Sequence, residues 1–349
     1  MEKRNDILET IKEYYGSVLK TCQDLQTSAC CSVDALPAYV REIAKEVHPE
    51  VKEKFYGCGS PIPLELEGKT VLDLGCGSGR DCYLLSKLVG EKGRVIGVDM
   101  TDKQLEVARR HLSFHMDKYG FTTPNIQFLN GYIEDLESIG IKNSSVDVVI
   151  SNCVINLSPE KERVFSEIFR VLKPGGELYF SDVFSGRRVS KAIQEDPVLR
   201  GECLGGALYI EDYRRLLTRL GCADFRTVSK TRLSLNNPEI EQKAGAIDFY
   251  SMTIRAFKLS LEDRCEDYGQ VAIYLGTVPE SPHAFTLDDH HRFEKGKPML
   301  VCGNTALMLT ATRYAGHFKV TGDTSVHYGL FDCKASNRSN VENLIGSCC

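Results

Sequence analysis

Val71-Leu72-Asp73-Leu74-Gly75-Cys76-Gly77-Ser78-Gly79 decides how this chain folds. A short apolar strand runs into a loop with glycine at every second position, and a helix is predicted over 80–89. Glycine lets the backbone turn sharply and approach a ligand closely. The spacing is G-x-G-x-G, not the G-x-G-x-x-G of dinucleotide loops. Asp73 precedes the first glycine by two positions, and Asp99 ends the next predicted strand twenty residues after Gly79. An acid at the end of a second strand accepts hydrogen bonds from ribose hydroxyls. A pyrophosphate favours an uncluttered helix N-terminus. Asp73 adds negative charge beside the loop, so a sulfonium or amino group fits better than a phosphate.

Outward from this loop the pattern alternates strand and helix. Strands are predicted at 70–74, 94–98, 126–130, 146–151 and 177–182, with helices at 80–89, 103–118 and 160–172. Lys173-Pro174-Gly175-Gly176 closes the last of these helices, since Pro and Gly stop helices and Lys suits the C-terminal end. This rhythm implies an α/β fold with a doubly wound, parallel sheet. Upstream, 5–20 has helical periodicity, Pro37 can open a helix reaching about Val47, and 1–60 as a whole is assigned to N-terminal helices and cysteine loops. The sheet domain is set at 61–224, with a loop–helix insertion at 185–209 and an amphipathic helix at 210–220. A smaller C-terminal α+β domain is expected over 225–333, with strands at 270–275 and 299–301. The Ser- and Asn-rich 334–349 is expected to be a disordered tail ending in Cys348-Cys349.

Whole-chain totals exclude several classes. The net charge of −5 argues against a general nucleic-acid binder. No apolar run approaches the ~18 residues of a membrane span. The N-terminus lacks the apolar core of a signal peptide, so the expected location is the cytosol, away from membranes. The chain is too long, and its 14 cysteines too sparse, for a small disulfide scaffold. Many thiols in a reducing compartment mean metal, redox or catalytic chemistry, or buried packing. No C-x-x-C pair occurs, which argues against a structural zinc site.

The stretch 71–79, together with Val98-Asp99, Val146-Asp147-Val148-Val149 and Leu172-Lys173-Pro174-Gly175-Gly176, resembles the class I S-adenosylmethionine (AdoMet) methyltransferases. That resemblance covers about 69–183. It implies a seven-stranded, mostly parallel sheet with an antiparallel last strand, and AdoMet as cofactor. It also implies a cofactor site made of Tyr56, Asp73, Gly75, Gly77, Asp99 on the ribose, Met100 over the adenine, Ile133 and Glu134 at the adenine edge, and Asn152 at the methionine moiety.

Four cysteines differ in context from the rest. Cys31 follows Ala29-Cys30, Cys58 lies in Tyr56-Gly57-Cys58-Gly59, Cys153 in Ser151-Asn152-Cys153-Val154-Ile155-Asn156-Leu157, and Cys203 in Gly201-Glu202-Cys203-Leu204-Gly205-Gly206-Ala207-Leu208. Cys153 stands where an apolar strand runs out, the side on which open α/β sheets bind ligands. Taken singly, each is more often a buried thiol than a ligand, and Cys76, Cys82, Cys222, Cys265, Cys302 and Cys333 are assigned to packing. Together with the AdoMet segments, these four resemble the arsenite methyltransferases over about 14–333, with Cys31 aligning to the family's pattern.

Trivalent arsenic is soft, and soft thiolates select it. It keeps a lone pair that can take a methyl group in line, so the protein must orient the arsenic more than supply a base. By the resemblance, Cys58, Cys153 and Cys203 hold arsenic(III) as substrate. Cys31 and Cys58 pair as the disulfide that accompanies its return to the trivalent state, reset by thioredoxin or glutathione. Glu202 either orients a water or thiol or is a solvated acid. Two other readings stay open at this point. A methyltransferase acting on oxygen, nitrogen or carbon usually wants a base near the methyl, and no His lies in the strand-end segments. An arsenic- or metal-binding sensor would not need the intact Gly75–Gly79 loop and Asp99.

Overall fold

In a computed structural model, residues 8–12, 14, 36–55, 57 and 61–333 are described. The chain divides into two compact units at 258/259.

After a helical stretch at 8–12, the first unit has α1 (Ala38–Glu46), preceded by Pro37, and α2 (Pro49–Glu53). Then come β1 (Thr70–Leu74), α3 (Arg80–Val89), β2 (Arg94–Asp99), α4 (Asp102–Arg110), α5 (Leu112–Tyr119) and β3 (Ile126–Asn130). The continuous helix expected over 103–118 is thus two helices meeting at His111. β4 (Val146–Asn152) and α6 (Lys161–Val171) follow, then β5 (Leu172–Ser185), α7 (Lys191–Glu195), α8 (Pro197–Gly201) and β6 (Leu208–Tyr209). α9 (Ile210–Arg219), β7 (Phe225–Arg232), α10 (Pro238–Ala244) and β8 (Phe249–Phe257) complete the unit.

The sheet runs β3-β2-β1-β4-β5-β8-β7, and the two-residue β6 pairs with the end of β5. β3, β2, β1, β4 and β5 are mutually parallel. β8 runs antiparallel to both β5 and β7. This is the expected α/β, Rossmann-like architecture, with the antiparallel β8 the sheet's last strand in chain order. Alternation along the strands divides the core: Leu72, Leu74, Val98 and Val149 join α6 and α9 on one face, whereas Val71, Val95, Val148 and Ile150 join α1, α3 and α4 on the other. Both faces are buried, which is why the strands are apolar almost throughout. Sheet order reverses between β1 and β4, and the crevice outside their carboxyl ends is where such sheets bind ligands.

The boundary expected at 224/225 falls inside this unit. A cut there would strip β7 and β8 from the sheet, although β8 pairs with β5 along nine residues, from Glu177 to Ser185.

In the second unit, β9 (Gln270–Tyr274) is flanked antiparallel by β12 (Pro298–Val301) and β13 (Phe318–Thr321). A hairpin of β10 (Ala284–Thr286) and β11 (Arg292–Glu294) and the helix α11 (Gly303–Thr310) complete it. The strands expected at 270–275 and 299–301 are β9 and β12. Among the described residues no helix is long and apolar enough to cross a membrane. The expected tail, 334–349, lies outside the described residues.

Candidate active site

A cleft open to solvent lies outside the carboxyl ends of β1, β2 and β4. Asp73, Gly75, Gly77, Asp99, Met100, Ile133, Glu134, Asn152 and Cys153 all line it, so one cleft gathers most of the residues singled out from sequence. Tyr56, Cys31 and Cys58 lie outside the described residues.

The glycine loop is shaped for its place. Gly75 has φ +71°, a left-handed backbone that disfavours a side chain, and any Cβ on it would drive into Val154. Asp99 fastens the loop: one carboxylate oxygen accepts from Gly77 N at 2.9 Å and the other from Thr101 N at 2.8 Å. Ser78 donates to the carbonyl of Val51 at 2.9 Å, tying the loop to α2.

The electrostatics of the cleft are acidic. Asp73 is buried, and burial, reinforced by the charge of Asp81, holds its carboxyl well above the usual range. Burial likewise raises Asp99, opposed by the two main-chain N–H groups it accepts from. Asn152 donates to Asp81 at 3.1 Å. Three carboxylates thus converge on one cleft, a setting for a cation that would favour their ionised forms. Glu134 is buried and accepts from Ser158 Oγ, so that oxygen is committed within the protein.

Beside the cleft two cysteines meet. Cys153 follows β4, its N–H donating to the carbonyl of Ser181 at 2.9 Å. Cys203 follows α8, and its thiol donates to the carbonyl of Cys153 at 3.3 Å. The loop after Cys203 can come this close because Gly206 lies flat on the backbone of Asn156, where a Cβ would collide. Both cysteines are buried, and both have positive φ, +56° for Cys153 and +63° for Cys203. Only five described non-glycine residues do so. Such strain concentrates at functional sites.

Sequence reasoning missed the polar frame behind these thiols. One ligand atom each from Cys153, Cys203 and Asp182 lies within 4.8 Å of the others, and all three residues are buried. Burial pushes Asp182 up to about 7, although it accepts from the N–H groups of Val183 and Asn156. Lys161 donates to the carbonyls of Asn156 and Ser158, and burial pushes it down to about 8 against the pull of Asp182. An acid ending the strand 177–182 was the one signal available for Asp182. Glu202 is fully buried and accepts from Tyr14 at 3.5 Å, so it is not a solvated surface acid.

Comparison with known proteins agrees with this geometry. Residues 65–221 match the methyltransferase domain family, and 267–344 match the arsenite methyltransferase C-terminal domain. The chain is 50% identical to an arsenite methyltransferase of Aquipseudomonas alcaligenes, over 98% of this chain and 99% of that one. It is 44% identical to the arsenite methyltransferase of Homo sapiens, over 90% and 84% of the two chains. Its fold superposes with a TM-score of 0.83 on the crystal structure of an arsenic(III) S-adenosylmethionine methyltransferase from Chlamydomonas reinhardtii. That protein is 53% identical and is covered completely, by 85% of this chain.

Proposed function

The chain belongs to the arsenite methyltransferase family, with AdoMet as cofactor, and on that premise we propose that Cys58, Cys153 and Cys203 hold trivalent arsenic at the edge of the AdoMet cleft. The observation that carries this is the buried meeting of Cys203 with Cys153, a residue that also lines the cleft. AdoMet supplies, when bound, a sulfonium methyl group that a lone pair can take in line. Asp73, Asp81 and Asp99 favour its positive charge, and the carboxylate of Asp99 and the glycine loop set its orientation. Met100, Ile133, Glu134 and Asn152 line the same cleft and would hold the adenine and methionine ends, with Tyr56 completing the site.

The thiols do the remaining work by position. Arsenic in a pyramid of thiolates keeps its lone pair on the open side. Left-handed backbone at both cysteines fixes where that side faces, and effective molarity from such orientation can replace a strong base. No His approaches this cleft among the described residues that line it, which disfavours methyl transfer to a hydroxyl or amine that must lose a proton.

Methyl transfer leaves arsenic pentavalent, and a second round needs two electrons. Cys31 and Cys58 supply them by closing to a disulfide, and thioredoxin or glutathione, in the cytosol, reopens it.

The test is Cys153→Ser in the full-length enzyme, with AdoMet affinity measured by calorimetry and arsenite methylation by separating the arsenic products. Native AdoMet affinity with no methylated arsenic is expected; appreciable methylation overturns the assignment. Cys31→Ser separates out the relay. It should lose methylation of arsenite more than of monomethylarsonous acid, and equal loss removes the relay while leaving the thiol site intact.

A further inference from the structure

The glycine loop and the helix after it carry two thiols that methyl transfer does not use. Cys76 lines the cleft, its N–H pinned to the carbonyl of Val98 at 3.0 Å. Cys82, in the first turn of α3, is fully buried and donates its thiol to Asp73 at 3.3 Å. The two sulfurs lie beside the same residue, Gly97, although one comes from a loop and the other from a helix. Gly97 on β2 allows this. A Cβ there would stand 2.7 Å from the sulfur of Cys82 and 2.9 Å from that of Cys76, so both sulfurs flank space that only glycine leaves. Packing explains why each is buried. It does not require two sulfurs side by side at the wall of a cofactor cleft in an enzyme that handles arsenic.

We propose that Cys76 and Cys82 form a second arsenical site, separate from Cys153 and Cys203, that takes a monosubstituted trivalent arsenical and excludes AdoMet while it is filled. The ligand class is R–As(OH)2, to which the singly methylated product belongs in its trivalent state. Two As–O bonds break and two As–S bonds form. Each thiol proton leaves with a hydroxide as water, and arsenic stays trivalent, so no oxidant or reductant is needed. Burial pushes the Cys76 thiol up to about 11, which keeps it protonated for this exchange. A species with two exchangeable positions satisfies both sulfurs, whereas one with a single position leaves one free. Bridging costs Asp73 the thiol that donates to it and puts arsenic and its substituent against the glycine loop. The enzyme is then inhibited by its own intermediate in competition with AdoMet. This depends on the family's substrate class and not on the Cys31–Cys58 relay.

Trypsin makes the test direct, because it cuts after Arg80, between the two cysteines. The full-length enzyme is labelled with phenylarsine oxide and digested without reductant. Peptides 70–80 and 81–87 are expected to remain joined with the added mass of one phenylarsenic group. Saturating AdoMet during labelling should cut the yield of this species by about tenfold or more, as mutual exclusion requires. Phenylarsenic recovered only on other cysteines, or the two peptides joined with no arsenic, overturns the site. A yield indifferent to AdoMet overturns the exclusion. In Cys76→Ser the joined species should vanish, and inhibition by the arsenical should lose its competition with AdoMet. Unchanged competition overturns the regulatory consequence, and the labelling of the native enzyme stands whether or not this variant folds.

Discussion

The thiol of Cys203 donates to the main-chain carbonyl of Cys153 at 3.3 Å, and both residues hold left-handed backbone. Neither conformation is free. A non-glycine residue at positive φ costs on the order of 1–2 kcal/mol. The surroundings enforce it through Ser181 O on the N–H of Cys153, Arg200 O on the N–H of Cys203, and Gly206 on Asn156. A fold that holds two adjacent thiols in strained conformations stabilises their placement at the expense of some global stability.

That trade can be measured at Cys203. Cys203→Gly relieves the φ strain but loosens the unfolded chain and removes a buried thiol, so the net change in stability should stay within about 1 kcal/mol. Cys203→Val keeps a side chain but branches it at Cβ where φ is +63°, and should be less stable than the glycine variant by about 1–2 kcal/mol. Both should lose methylation by about 10²-fold or more, since a ligand is missing and orientation carries the rate. Urea titration orders the two variants; a valine variant as stable as the glycine one would remove the strain argument.

Asp99 ties the cofactor loop together with both carboxylate oxygens, one on Gly77 N and one on Thr101 N. Asp99→Asn turns one acceptor into a donor facing an N–H, which costs about 1–3 kcal/mol in addition to any lost ribose contact. AdoMet affinity should fall by about 10²-fold. Arsenical binding at the thiols should be unchanged, because neither Cys153 nor Cys203 bonds this residue. Calorimetric titration with each ligand in turn checks the separation, and a parallel loss of both affinities sinks it.

Stability should fall on acidification through His115. Its Nδ1 lies 2.7 Å from the carbonyl of His111, and its Nε2 accepts from the N–H of His48 at 3.2 Å, which defines the neutral ring. Burial holds it down to about 4 from an ordinary 6.5. The unfolded chain therefore takes up a proton below about pH 6.5 that the folded chain refuses until about pH 4. Stability from this group is full above 6.5, declines as pH falls through that window, and levels off below it, with a slope of at most about 1.4 kcal/mol per pH unit. Urea midpoints from pH 7 to 5 should fall less steeply in His115→Phe than in the native chain. Equal slopes would assign the acid sensitivity elsewhere.

What could be read in the sequence was local. The β1–loop–α3 turn and the helix stop at Lys173–Gly176 announce themselves through residues that are neighbours in the chain, and they located the cleft. The sheet's far edge was hidden. β7 reads Phe225-Arg226-Thr227-Val228-Ser229-Lys230-Thr231-Arg232 and is largely exposed after Val228, as an edge strand can be, so no apolar run marked it. Its partner β8 returns only after α10. Asp182, Lys161 and Glu202 were invisible as a frame because a charged residue is assumed solvated until its neighbours are known. The closeness of Cys76 to Cys82 depends on Gly97, a residue on a different strand.

Gly75 links the two halves of the site. Its φ of +71° and its contact with Val154 are separate reasons for having no side chain, and Val154 is the residue next to Cys153. In Gly75→Ala the new Cβ would stand 2.5 Å from Val154 Cγ1 and 2.8 Å from its Cβ, so either the glycine loop or the Cys153 loop must move. Moving the first weakens AdoMet binding and moving the second misaims the thiols, so both AdoMet affinity and methylation should fall, each by about 10²-fold. Gly75→Ala/Val154→Ala removes most of the collision but leaves the φ cost of about 1–2 kcal/mol. It should therefore recover part of the loss, about tenfold in AdoMet affinity, and not all of it. No recovery would mean that backbone conformation alone demands the glycine; complete recovery would mean that the contact alone does.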